Sequence, residues 1–288
     1  HTRETKGAVG NCYFLKTVED SVRIRKAILE TLELYTQLED PLLVKFTVIG
    51  GGSTGVEMAL EIDEYVRFTL AKYYKCSNLL NDFEVNIVCP SVEVLSGMHQ
   101  QIRDEAMKRL SKSKVNLMME TTITEVGQDF TKTSEGKIIP SKINIWCGGV
   151  EVVLPEILGI KNVKITNYLN LEKFPEVFLL GDCVNYGTAT PMDAQAAVKQ
   201  AKVVSQNLQN FISNKPLEEF VYKQSGSLVS LGRWHAAGKI GPVFIKGPFA
   251  WWIWRTIYLF KFPLPSKRIK IAIDWSVAIF SGRDISNV

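Results

Sequence analysis

Residues 46–57 read FTVIGGGSTGVE, and this stretch decides the fold. An apolar run (Phe46, Val48, Ile49) stops at Gly50-x-Gly52-x-x-Gly55, and apolar residues at helical spacing follow (Val56, Met58, Ala59, Leu60, Ile62). That order is strand, tight turn, helix. Gly50 lets the chain turn, Gly52 lets the backbone approach a pyrophosphate, and Gly55 lets the helix pack close to the strand. The helix N-terminus adds N–H groups and the positive end of a dipole. The expectation is a dinucleotide-binding turn, with Gly51, Ser53 and Thr54 completing the loop that faces the phosphates. The alternative is an ordinary glycine-rich βα turn, which does not explain three consecutive glycines.

Such a turn is normally completed by an acidic residue closing the next strand, where it accepts hydrogen bonds from the adenosine ribose. The next strand here is Val85-Asn86-Ile87-Val88, and it closes with Cys89-Pro90. Glu93 lies nearby but past the expected strand end. A choice between NADH and NADPH is therefore not readable at Cys89. The intervening segment is longer than a minimal unit, and Asp63 to Leu80 reads as an extended helix plus loop.

The chain has 288 residues, 46% of them hydrophobic and 22% charged, enough for one large or two ordinary domains with a real core. It begins at His1 without an initiator Met or a signal peptide, and so reads as processed or truncated. Five scattered cysteines (Cys12, Cys76, Cys89, Cys147, Cys183) include no CxxC pair, and the three histidines have no ligand spacing. No disulfide framework, redox dithiol or metal site is expected, and each Cys is read as a small buried hydrophobe.

Charge is uneven. Residues 233–288 hold nine Lys/Arg against two Asp, a surplus of +7, whereas the whole chain is +4. Five of the six tryptophans lie there too: Trp234, Trp251, Trp252, Trp254 and Trp275. Basic residues interleaved with aromatic rings suit a membrane interface, where rings sit among headgroups and cations meet anionic lipid. The run from Pro248 to Phe262 is broken by Arg255 and Lys261 and is shorter than the ~20 residues of a spanning helix. It is expected to lie in the interface, as is Ile269 to Phe280. Core-packing helices with a solvated basic face are the alternative, and nucleic-acid binding is not expected.

A coarse pass gives helices at Val22–Leu38, Ile102–Leu110 and Pro191–Ile212. It gives strands at Val115–Met118, Thr122–Val126, Ile143–Trp146 and Val177–Leu180, and a hairpin-like stretch around Ser134–Lys137. Apolar strands alternating with helices mean an α/β fold with a wound parallel sheet. A second motif is VFLLGDC at 177–183. An acid directly after a strand and a glycine stands at the carboxyl end of a sheet, where open α/β folds hold ligands. Asp182 suits a ribityl hydroxyl or, equally, the cap of a following helix, worth about 1 kcal/mol. Its position well downstream of a dinucleotide turn points toward flavin.

With these motifs in order, the chain resembles the type II NADH dehydrogenases: VIGGGSTGVE, IWCGGV, EVFLLGDC, TPMDAQAAVKQ, GSLVSLGR and WWIWRTIYLF…DWSVAIFSGRDIS. The opening Asn11–Leu29 resembles the segment just upstream of that family's NADH domain. The resemblance implies a flavoprotein of the two-dinucleotide-binding-domain type with a C-terminal amphipathic, helical membrane-anchoring region. It implies electron transfer from NADH, with NADPH the alternative, through FAD to a membrane quinone without proton pumping. The family's own FAD-binding GxGxxG, expected well upstream of Gly50, is not in this sequence. The chain is therefore expected to be a C-terminal portion, inactive and binding flavin weakly by itself.

The implied organisation is a remnant of the FAD domain at 1–40, an NAD(P)H domain at 41–150, the C-terminal part of the FAD domain at 151–232 and a membrane-association region at 233–288. The resemblance assigns Gly50, Gly51, Gly52, Ser53, Thr54, Gly55, Cys89 and Gly149 to the NAD(P)H site. It assigns Gly181, Asp182, Ala194 and Gln195 to the flavin, and Gln195, Lys199 and Gln200 to the quinone entrance, where a neutral amide can donate to a carbonyl. Glu57 resembles the glutamate at the nicotinamide–flavin junction and is the catalytic candidate. Otherwise it is a helix acid interacting with the dipole for a few tenths of a kcal/mol.

Cys89, Gly148, Asp193 and Lys199 depart from the family pattern, and the stretch between Gly149 and Gly181 is short. Two other readings follow: a soluble pyridine-nucleotide flavin reductase, and a non-catalytic nucleotide-binding paralogue. Pairing of two chains through their tails is a further family feature. The insert after Tyr65 resembles the mitochondrial members of that family more than the compact bacterial ones, which implies the mitochondrial inner membrane, with the bacterial cytoplasmic membrane or a plastid as alternatives.

Overall fold

The computed structural model describes residues 5–149, 164–185 and 190–280. His1, Arg283, Asp284 and residues 150–163, part of the short stretch after Gly149, lie outside the described residues. The chain divides into two compact units, one of His1–Gly149 with Gly226–Val288 and one of Val150–Ser225.

The first unit opens with α1 (Ala8–Asn11), β1 (Tyr13–Phe14), α2 (Val18–Leu38), β2 (Lys45–Ile49) and α3 (Ser53–Glu64). It continues with α4 (Leu79–Asp82), β3 (Glu84–Val88), α5 (Gln100–Leu110), β4 (Val115–Met118), β5 (Ile123–Val126), β6 (Phe130–Thr133), β7 (Ile138–Pro140) and β8 (Ile143–Trp146). Strands pair in the order β1-β8-β2-β3-β4, all parallel. This is the wound sheet the apolar runs predict. Alternation sorts its two faces. Phe46, Val48, Val85, Ile87, Ile143 and Ile145 enter the main core with Ile28 and Leu32 of α2 and Val56 and Leu60 of α3. A capping box between Thr17 and Asp20 starts α2, which accounts for a helix beginning before Val22.

The opposite face of the sheet carries Ile49, Val88 and Trp146, packed with Val126 and Ile139. It also carries a polar row in register, Asn144, Thr47, Asn86 and Asn116, across four neighbouring strands. Asn116 donates to Asn86 at 3.3 Å, and Asn144 donates to the carbonyls of Asn11 and Gly127. Strands β5, β6 and β7 form an antiparallel three-stranded sheet whose turn holds Ser134–Lys137. Beyond α3 the chain runs through a π-helical turn (Tyr65–Thr69) and a short 3-10 turn (Leu70–Lys72), the extended helix plus loop expected there.

The second unit holds a 3-10 turn at Gly181–Asn185 and α6 (Ala194–Ile212), around a core of Leu169, Leu171, Leu179, Val184 and Val204. Here one expectation fails. Val177–Leu180 is not a strand: it makes one isolated bridge, Asn170 to Phe178, and two flanking backbone bonds to the 169–171 segment. A strand needs a continuous ladder, and among the described residues this segment has only that short partner. It is also only half-buried, with Leu180 exposed. Helix α6 begins at Ala194 rather than Pro191 because Asp193 caps it, accepting from the Ala196 N–H at 2.7 Å.

The first unit resumes with β9 (Gly226–Ser230), β10 (Ala236–Ile240) and β11 (Val243–Lys246), then α7 (Gly247–Lys261) and α8 (Pro265–Phe280). The antiparallel sheet β11-β10-β9 spans the boundary expected at 232/233. Its Val229, Leu231 and Ala237 join the same core as the parallel sheet. The basic tail is thus not uniformly a peripheral region: its first part is woven into the nucleotide-type domain.

Candidate functional site

Strand β2 delivers the chain to Gly50, whose N–H donates to the Val88 carbonyl at 2.8 Å. Gly50 holds φ +126°, and a Cβ there would stand 2.7 Å from the Cys147 carbonyl carbon. A side chain on Gly55 would overlap the Gly50 carbonyl oxygen, so the close approach of α3 to the turn depends on its absence. Gly52 differs. It is the N-cap of α3, in ordinary extended backbone, and a Cβ there would meet nothing within 4 Å among the described residues. Among the described residues no side chain caps this helix. Exposed Ser53 and Thr54 open its first turn, so an open space faces a helix N-terminus whose N–H groups suit an anion.

Gly51 and Cys89 lie against each other: a Cβ on Gly51 would be 2.8 Å from the Cys89 Sγ. Cys89 is buried, and burial raises its thiol pKa. It fills space beneath the turn, as a small hydrophobe does. At the end of β8, Cys147 donates its N–H to the Ile49 carbonyl, and the Trp146 indole donates to the Gly148 carbonyl at 2.8 Å, with Gly149 next. Burial also pushes the Cys147 thiol up to about 12, which leaves it an inert thiol.

Glu57 stands one turn into α3. Burial pushes its carboxyl up to about 6, against the pull of the Ser230 N–H, which donates to Oε1 at 2.8 Å. Two turns further along α3, Glu64 grips the same connection. It accepts from the Arg233 N–H and from Arg109 Nη2 at 2.9 Å, while Arg109 Nε donates to the Leu231 carbonyl at 3.0 Å. On α5, Glu105 meets His235 Nε2 at 2.9 Å and Lys246 Nζ at 3.0 Å. Burial would raise the Glu105 carboxyl, but Lys246 and His235 outweigh it and hold it below the usual range. Nothing in the sequence pattern announces these pairs, because each joins residues more than forty positions apart; Glu64, Arg109 and Glu105 are therefore the residues that sequence reasoning missed.

In the second unit, Gly181 donates its N–H to the buried Gln200 Oε1 at 2.7 Å, and Asp182 is exposed in the 3-10 turn. Exposed Ala194 is the first residue of α6. Gln195 Oε1 accepts from the Ser225 N–H at 2.8 Å. Lys199 donates to Ser225 Oγ at 2.8 Å and to the Lys223 carbonyl, and its ammonium lies 5.4 Å from the Tyr222 ring. The structure thus joins Gly181 with Gln200, and Gln195 with Lys199, the latter pair through the 223–225 segment.

The family model for pyridine nucleotide-disulphide oxidoreductases matches residues 2–201, and the model for the NDH2 C-terminal domain matches residues 224–284. The chain is 28% identical to the internal alternative NAD(P)H-ubiquinone oxidoreductase A1, mitochondrial, of Arabidopsis thaliana, over 98% of this chain and 61% of that protein. It is 29% identical to the type II NADH:quinone oxidoreductase of Mycobacterium tuberculosis, over 93% of this chain and 62% of that protein. The chain therefore spans about three-fifths of the length of these relatives. The fold is that of the solved structure of NDH2 from Plasmodium falciparum in complex with NADH, with a TM-score of 0.88, 18% identity, and coverage of 99% of this chain and 77% of that one. These two models, matched in this order along the chain, identify it as a member of the pyridine nucleotide-disulphide oxidoreductase family and, within it, of the type II NADH dehydrogenases.

Proposed function

We propose that this chain is the nucleotide-binding and C-terminal part of an NAD(P)H:quinone oxidoreductase that passes electrons through FAD to a membrane quinone without pumping protons. The observation that carries the reading is the open, uncapped N-terminus of α3 at Gly52, with the half-buried Glu57 one turn further on. That space fits a pyrophosphate: the helix end offers donors, and among the described residues no side chain obstructs the approach. Gly50, Gly51, Gly52, Ser53, Thr54 and Gly55 hold the phosphates in this reading, with Cys89 and Gly149 lining the dinucleotide. Glu57 holds or releases a proton beside the nicotinamide. Its carboxyl, pushed up to about 6, is within reach of both states near neutral pH.

Asp182 and the Gly181 N–H fit the polar tail of a flavin, since Asp182 is exposed and Gly181 is braced by Gln200. Ala194 and Gln195 stand beside it in this assignment. Bound FAD would supply the two-electron relay between nicotinamide and quinone. Gln195, Lys199 and Gln200 line the quinone entrance in the same reading, where they orient the ring carbonyls.

Helices α7 and α8 serve as an interfacial anchor. Phe249, Trp252, Tyr258 and Phe260 of α7 and Ile269, Ile273 and Val277 of α8 are exposed, beside Arg255, Lys261 and Arg268. Among the described residues no helix is long and apolar enough to cross a membrane, so the attachment proposed is peripheral. Mitochondrial relatives favour the mitochondrial inner membrane. The domain plan proposed is an FAD-domain remnant at 1–40, an NAD(P)H domain at 41–150, an FAD-domain part at 151–232 and an anchor whose lipid-facing portion starts at α7.

The test uses the full-length parent protein, reconstituted with FAD in detergent. NADH and NADPH oxidation are followed by absorbance with and without a short-chain quinone. Quinone-dependent oxidation supports the reading; flavin-loaded protein that oxidises neither dinucleotide rejects it in favour of a non-catalytic paralogue.

A further inference from the structure

In an open α/β sheet the strand after the glycine turn ends beside the adenosine ribose. Here β3 ends at Val88 and the next residue is Cys89, buried, its thiol 3.7 Å from the Ser91 carbonyl. A buried neutral thiol is a poor acceptor for ribose hydroxyls. The chain then folds back onto the glycine turn. Leu95 donates its N–H to the Gly51 carbonyl at 2.7 Å, and Val94 packs against Gly51. Leu95 holds φ +55° while almost fully buried, a left-handed conformation that a leucine adopts at a cost. Its bond to Gly51, and the Met98 N–H to its own carbonyl at 2.8 Å, fix it there.

Between buried Cys89 and anchored Leu95 stands Glu93. Its side chain is 40% exposed, and Oε1 lies 3.2 Å from Arg103 Nε. Arg103 is itself held, donating to the Met98 carbonyl at 3.0 Å and to Gln100. A part-exposed carboxylate with a fixed partner thus sits on the segment that covers the turn, four residues past the place where the acid is usual.

On the reading of Gly50–Gly55 as a dinucleotide turn, we infer that Glu93, oriented by Arg103, takes over the role of the strand-end acid and selects NADH against NADPH at the ribose 2′ position. The carboxylate accepts from the 2′-hydroxyl. A 2′-phosphate brings a charge of about −2 against it. Arg103 does not compensate, because its Nη1 and Nη2 are committed to the Met98 carbonyl and Gln100, and its Nε faces Glu93.

The test titrates NADH and NADPH separately into the full chain by calorimetry, for wild type, Glu93→Gln, Glu93→Asp and Arg103→Gln, with melting temperature as the control for folding. Wild type is expected to favour NADH by about tenfold or more, the scale of one charge-assisted hydrogen bond. Glu93→Gln is expected to erase most of that ratio, with NADPH binding tighter as the opposing carboxylate charge is lost. Glu93→Asp, which draws the carboxylate back by one methylene, falls between. Arg103→Gln weakens NADH without improving NADPH. Equal binding of both dinucleotides by wild type, or a ratio unchanged in both Glu93 variants, overturns the inference while leaving the dinucleotide reading intact. Binding of neither by wild type overturns both.

Discussion

Ser230 donates its backbone N–H to Oε1 of Glu57 at 2.8 Å, although 173 residues separate them along the chain. The C-terminal sheet thereby touches the one acid that the sequence singles out as catalytic. The contact is to backbone, so no side-chain change at Ser230 deletes it.

Glu57 has a consequence for pH. Its folded pKa of about 6 lies above the ordinary 4.5, so between these values the folded state binds more protons than the unfolded one. Stability from this group is present below about pH 4.5 and is lost as pH rises through 6, by on the order of 2 kcal/mol. Glu57→Gln keeps an acceptor for Ser230 without the charge. It is expected to melt higher than wild type at pH 7 and to converge with it near pH 4. Parallel melting curves across that range would falsify the assignment of Glu57 as a buried, reluctant carboxylate.

Gly52 and Gly55 separate function from folding. Gly55→Ala drives a methyl into the Gly50 carbonyl and is expected to cost about 2 kcal/mol or more. Gly52→Ala adds a methyl to empty space in backbone any residue adopts, so its melting temperature stays near wild type. The same methyl enters the space proposed for the pyrophosphate, and NADH affinity is expected to fall about tenfold or more. Unchanged affinity in Gly52→Ala would move the nucleotide elsewhere.

Glu105 clamps β10 and β11 to α5 through His235 and Lys246. Glu105→Ala leaves the half-buried His235 without its partner and frees the exposed Lys246, and is expected to cost about 1–2 kcal/mol. Because Glu105 is held below its usual pKa, its stabilising contribution is present above about pH 4.5 and is lost as pH falls through the lower folded value. Hydrogen exchange is the measurement: protection of amides 236–240 should drop in the variant far more than that of β2 and β3. A uniform loss across both sheets would argue against a local clamp.

The exposed rings of α7 offer a test of the anchor. Replacing Phe249 and Phe260 by Ser together is expected to leave the melting temperature nearly unchanged, since both rings are exposed. Flotation with vesicles containing about a third anionic lipid should fall by an order of magnitude or more. Retained flotation would shift the attachment to α8 or to charge alone.

The central sheet was legible because β2, β3 and β8 carry aliphatic or aromatic residues at every core-facing position: Phe46 and Val48, Val85 and Ile87, Ile143 and Ile145. The glycine turn was legible because its constraints are local: one backbone angle at Gly50 and one close approach at Gly55. The antiparallel sheet β9–β11 was not. Its 226–246 stretch carries glycines and lysines, and its burial depends on Glu57, Glu64, Glu105 and Arg109 far away. Part of the tail's charge is likewise met by distant residues: Lys246 faces Glu105, and Lys239 Nζ lies 2.8 Å from His99 Nε2. Val177–Leu180 misled in the other direction, since four apolar residues look like a strand whether or not a ladder exists to receive them.

The polar row Asn144–Thr47–Asn86–Asn116 acts as an alignment mark for the parallel sheet. Sliding any one of these strands by a single residue would turn its amide or hydroxyl toward the leucines and isoleucines of the main core and send an aliphatic side chain into the row. Only one phase among the four strands keeps like with like, and that phase brings the ends of β2, β3 and β8 level, where Gly50, Cys89 and Cys147 meet.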